Sequence, residues 1–66
     1  MSTEELEAME FIPVVLASRI MAVSQAVILK LIKEGELPAY RFGTAWRIDR
    51  QELMDFIQKS KHQKEE

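Results

Sequence analysis

Two helical periodicities standing about three residues apart constrain this chain more than any other feature. Val14, Leu16, Ala17, Ile20 and Met21 recur at helical spacing, which predicts a first helix near residues 13–21. Pro13 suits its first turn, where a missing N–H costs nothing. Ile28, Leu31 and Ile32 mark the buried side of a second helix running from Gln25 to Glu34. Between the two, Ala22-Val23 form a short break. Ser24 can cap the second helix by accepting a hydrogen bond from the free amides of its first turn. Gly35 stands just past that helix, where a left-handed backbone is common. Helices joined this tightly must cross at a steep angle, which makes a helix-turn-helix.

Pro38 then opens an extended segment. Ala39-Tyr40-Arg41-Phe42 alternates, as does Ala45-Trp46-Arg47-Ile48, with Gly43-Thr44 between them. A two-residue period puts Tyr40, Phe42, Trp46 and Ile48 on one face and Arg41 and Arg47 on the other, a hairpin with a basic outer side. The aromatic side chains are read as structural, because a hairpin needs an apolar face to pack on the helices. Asp49-Arg50-Gln51-Glu52 reads as a capping box flanked by Ile48 and Leu53 as a hydrophobic staple. A third helix over about 50–60 follows, burying Leu53, Phe56 and Ile57, with Met21 and Met54 as core fillers. The expected fold is α+β, mostly α: a small winged helix-turn-helix with three helices and a two-stranded β-hairpin wing. Residues 1–10 are expected to form a flexible acidic arm, 11–60 the domain and 61–66 a charged tail.

A chain of 66 residues holds one domain with a thin core, and 47% apolar residues are enough to fold it. It has no cysteine, and no apolar run approaches the roughly 18 residues that would span a bilayer. Its first residues are acidic where a secretory signal would be basic, so a cytoplasmic location without membrane contact is expected. One histidine, His62 in the charged tail, and no cysteine leave no nucleophile–base arrangement, and two glycines make no phosphate loop. The chain is therefore read as no enzyme, with no cofactor, metal or small-molecule substrate. The net charge of −2 hides an uneven distribution. Glu4, Glu5, Glu7 and Glu10 load the arm, whereas residues 11–60 carry seven bases against five acids, leaving the middle weakly basic.

That basic middle supplies the candidate site. Gln25 can make paired hydrogen bonds to adenine, and Lys30 and Lys33 can neutralise phosphates. Arg41 and Arg47 can grip phosphate or enter a narrow minor groove; their alternative is pairing with Glu36 or another acid. Arg19 and Arg50 read as surface residues.

Val23-Ser24, Gly35-Glu36-Leu37-Pro38-Ala39-Tyr40-Arg41-Phe42-Gly43, Trp46-Arg47-Ile48 and Leu53 together resemble the excisionase-type DNA-binding domains, winged helix-turn-helix modules related to the heads of MerR-type regulators. The resemblance covers roughly residues 12–58. It implies that the second helix enters the major groove, with Ser24, Gln25, Lys30 and Lys33 as groove and phosphate contacts. It also implies that the hairpin wing, with Arg41, Thr44 and Arg47, meets the minor groove or adjacent backbone. The implied partners are double-stranded DNA, further copies of the chain as a dimer or cooperative multimer, and a recombinase or regulator. The implied role is transcription regulation or control of site-specific recombination. Three departures run against the family pattern: Ala26, Val27 and Leu29 replace polar positions of the recognition helix, Thr44-Ala45 replaces a basic wing tip, and Val14-Val15 replaces an acidic pair. These support a second reading, a protein-interaction or dimerisation module on the same fold with Val14, Val15 and Leu29, joined by Val27, at its surface.

Overall fold

The computed structural model describes residues 2–62; the part of the charged tail beyond His62 lies outside the described residues. The elements run α1 (Thr3–Ala8), β1 (Phe11–Pro13), α2 (Val14–Met21), α3 (Gln25–Lys33), β2 (Tyr40–Phe42), β3 (Ala45–Asp49) and α4 (Arg50–Lys59). The three strands form one antiparallel sheet in the order β1-β3-β2. The fold is the expected α+β winged helix-turn-helix, enlarged by one helix and one strand.

The additional helix, α1, rests on a capping box at the N-terminus. The Ser2 hydroxyl accepts from the Glu5 amide at 3.1 Å, and the Glu5 carboxylate accepts from the Ser2 amide at 2.8 Å. The additional strand, β1, lies against β3 with Ile12 opposite Ile48. Pro13 ends this edge strand, a place that tolerates a residue with no N–H to donate, and it is the N-cap of α2 rather than its first helical residue.

α2 and α3 meet at 107°. The turn closes because Ala22 adopts the left-handed conformation (φ 58°), with the Val23 amide donating to the Ser18 carbonyl at 3.0 Å and the Ala22 amide to Arg19 at 3.2 Å. Ser24 then caps α3 as expected, its hydroxyl accepting from the Val27 amide at 3.3 Å. Gly35, at φ 77°, ends α3. Asp49 caps α4 by accepting from the Glu52 amide at 3.1 Å, but the return bond expected from Glu52 is not formed. The other Asp49 oxygen accepts from the Glu10 amide at 3.1 Å instead. Glu10 is further held by its carbonyl, which accepts from the Arg50 amide at 2.8 Å, and by a carboxylate–guanidinium contact to Arg50 at 3.3 Å.

The core takes one apolar residue from each of β1, α2, α3, β3 and α4 (Ile12, Ala17, Ile28, Ile48 and Leu53) and adds Leu37 from the connection between α3 and β2. Val14, Leu16, Met21, Leu31, Ile32, Ala39, Phe56 and Ile57 pack around it. α2 sits at the centre of this arrangement, touching α3, β1 and β3. Ile48 and Leu53 are both fully buried, in keeping with their staple positions. Met54 does not fill the core; it is 44% exposed, as is Ile20 at 40%.

The hairpin departs from the expected faces. Tyr40 pairs with Arg47, Arg41 with Trp46 and Phe42 with Ala45. A turn of two residues pairs even positions with odd ones, so a parity carried straight through Gly43-Thr44 assigns the second strand to the wrong side. Arg41, Trp46, Ile48 and Ile12 therefore share the core-facing side, while Tyr40, Phe42, Arg47 and Phe11 share the outer one. The two arginines lie on opposite faces of the sheet, not on a common one.

Candidate nucleic-acid interface

α3 is anchored by Ile28, which is fully buried, and turns the opposite side outward. At about 100° per residue, Ala26, Lys30 and Lys33 form the middle of that outward stripe. All three are exposed, as are Ser24, Gln25 and Val27. The first turn of α3 holds no acid, and both lysines sit in its later turns. The Ser24 oxygen is engaged by the Val27 amide, so its hydroxyl retains a proton to donate outward.

The hairpin presents its cations differently. Arg41 is exposed; its Nε donates to the Gly43 carbonyl at 3.2 Å, and its guanidinium carbon lies 5.4 Å from the centre of the Trp46 ring. Arg47 is half-buried and donates from Nη1 to the Trp46 carbonyl at 2.8 Å. Each guanidinium thus uses one of its five N–H donors on a carbonyl and keeps the rest. Among the described residues the single ion pair is Arg50–Glu10, so Lys30, Lys33, Arg41 and Arg47 all hold their charge without a carboxylate partner. The pairing of a hairpin arginine with Glu36 does not occur. Thr44 is exposed at the turn between the strands.

On the outer face, Phe11, Tyr40 and Phe42 form an aromatic cluster with ring centres 5.1 Å (Phe11–Tyr40), 5.3 Å (Phe11–Phe42) and 6.5 Å (Tyr40–Phe42) apart. Phe11 meets the other two rings edge-on, at 70° and 79°, while Tyr40 and Phe42 lie nearly parallel; edge-on pairs contribute about 0.5–1.5 kcal/mol each. Phe42 remains 53% exposed and Phe11 38%. Sequence reasoning missed Phe11 here, because its strand is only three residues long; register across the two-residue turn places Tyr40 and Phe42 but carries no signal for β1. Partial burial, followed by the carboxylates of Glu52 and Asp49, raises the Tyr40 phenol above its ordinary pKa, so it stays protonated and able to donate. Glu36, Glu52 and Asp55, with Pro38, Phe56 and Lys59, line a shallow hollow beside α4. Of the apolar residues proposed for a contact surface, Val14 packs against the core and Leu29 is half-buried, whereas Val15 and Val27 are 39% and 42% exposed.

Two helices at 107°, the second with an open cationic side, followed by a hairpin bearing unpaired arginines, define a winged helix-turn-helix. Residues 17–61 match the model of a family described as helix-turn-helix domain, and the chain belongs to that DNA-binding family. Neither a curated protein nor a solved structure matches it. Families of this kind are typically binding modules, not enzymes. Among the described residues, no single helix is long and apolar enough to cross a membrane.

Proposed function

We propose that this chain is a DNA-binding protein of the excisionase type, acting in the cytoplasm in transcription regulation or in control of site-specific recombination. α3 lies in the major groove, with Gln25 toward base edges and Lys30 and Lys33 toward phosphates. The hairpin meets the adjacent backbone or minor groove through Arg41, Thr44 and Arg47, and Ser24 adds a donor at the start of α3. The observation that carries this reading is the freedom of four cations on exactly the two elements a winged helix uses: none is paired with a carboxylate. One module of this size covers only about 600–1,000 Å² of its own surface on DNA, so binding as a dimer or cooperatively on repeated sites is expected. A recombinase or regulator is the further partner that such a role calls for.

Four phosphate contacts at about 0.9 each give a slope near −3.6 in log K against log salt, or about a 150-fold loss between 50 and 200 mM. A fluorescence-anisotropy titration on duplex DNA at those two concentrations measures it. The Arg41→Ala/Arg47→Ala double variant is expected to lower the slope by about 2 and to weaken binding to all sequences alike. A flat salt response in the unaltered protein overturns the reading. The exposed Phe11 and Phe42 favour a second reading, a protein-contact module on the same fold, for which salt-independent self-association without retention of any duplex is the expected behaviour.

A further inference from the structure

The geometry points to Ala26 and Val27 as readers of thymine, making the first turn of α3 selective for A·T base pairs; this rests on the duplex-DNA reading above. Ala26 lies in the middle of the outward stripe of α3, on the same side as Lys30 and Lys33 and opposite the buried Ile28. Val27 stands beside it, 42% exposed. A helix that turns apolar groups toward solvent in its first turn, ahead of the lysines of its later turns, leaves them in need of an apolar partner that arrives together with negative charge. Duplex DNA offers that combination: phosphates flank the major groove, and within it the thymine 5-methyl is the apolar group on the base edges.

The argument also works by exclusion of the other bases. Neither side chain has a donor or an acceptor. Guanine O6 and N7 or the cytosine amino group, covered by these two side chains, would lose water and gain no hydrogen bond, which is unfavourable. Gln25, exposed in the same turn, supplies the complementary contact, since its amide matches N6 and N7 of adenine. Ser24 fixes the turn through the Val27 amide and so sets the position of the Val27 side chain. Ala26, the smallest of the outward side chains, lets the helix axis approach the base edges closely.

The test starts from duplexes that the full chain retains out of a random pool, in which A·T pairs are expected in the core of the site. In the tightest of them, each thymine is replaced singly by deoxyuridine, which removes one methyl and leaves every hydrogen-bonding group in place. At one or two positions the unaltered protein is expected to bind about fourfold more weakly, the effect of removing one buried methyl. In Ala26→Ser or Val27→Ser protein that penalty is expected to disappear at the corresponding position. Equal affinity for thymine and deoxyuridine duplexes overturns the inference and leaves duplex binding standing. So does a penalty that persists unchanged in both variants. Should sedimentation show a DNA-free dimer that Val27→Ser dissociates, Val27 belongs to a contact between copies and the inference also falls. Retention of no duplex at all removes the duplex reading itself, and this one with it. Ala26 and Val27 are both exposed, so serine at either leaves the core untouched and the comparison is made on folded protein.

Discussion

Ala22 and Gly35 perform the same task with unequal ease. Both stand in the left-handed region at the end of a helix, and both are followed by an amide that reaches back to a carbonyl: Val23 to Ser18 at 3.0 Å, Glu36 to Leu31 at 3.0 Å. Glycine enters this region freely, whereas an L side chain costs about 1–2 kcal/mol there. Nothing stands within 4 Å of where a Cβ at Gly35 would sit, so the difference between the two positions is one of conformation and not of space. Ala22→Gly is therefore expected to stabilise the fold by about 1 kcal/mol, raising the melting temperature by about 4–8 °C in a domain of this size. Gly35→Ala is expected to lower it by a similar amount. Thermal unfolding followed by circular dichroism checks both, and an Ala22→Gly protein that melts lower shows that the turn gains something from the methyl group. At this scale Ser24, Gly35 and Asp49 were legible as punctuation because their residue types announce the conformation they serve. Ala22 was legible as part of the break between the helices but not as its left-handed residue, because alanine has no preference for that conformation.

Among the elements, the helices of the domain were readable because eight to ten residues give an apolar stripe room to repeat. β1 was hidden for the opposite reason. Three residues cannot show a two-residue period, and Pro13 reads equally well as the start of a helix. Of the candidate site, the composition was legible and the arrangement only in part. The exposure of Lys30 and Lys33 followed from the helical stripe and that of Gln25 from its place as the first residue of α3, but the sides of Arg41 and Arg47 depended on cross-strand register, which a local pattern does not contain. α1 illustrates a third case, an element formed by its own cap and by little else. It buries none of its residues, and Leu6 stays 56% exposed. Removing residues 2–8 is expected to shift the melting temperature by less than about 4 °C, since surface changes are worth within about 0.5 kcal/mol. A larger fall in a calorimetric scan identifies α1 as a packed part of the fold.

For the molecule as a whole, the family resemblance and the stable unit have different borders. The matched stretch opens at residue 17, inside α2, yet the core reaches back to Ile12, which is 3% exposed between the sheet and the helices. Glu10 lies earlier still and occupies one oxygen of the buried Asp49, the carboxylate that starts α4. A chain trimmed to 17–62 would lose the strand that flanks β3, the first turn of α2 and the partner of that carboxylate together. Ile12 alone is worth about 2–5 kcal/mol, a large share of what so small a core can supply. Such a fragment is expected to melt without a cooperative transition, while one beginning at residue 9 is expected to unfold like the parent; matching melting curves for both would remove β1 from the folding unit. Anyone excising this module for grafting or crystallisation should accordingly set the upstream cut by hydrogen bonds, not by homology, because the eight residues from 9 to 16 are the hem that keeps the cloth from unravelling.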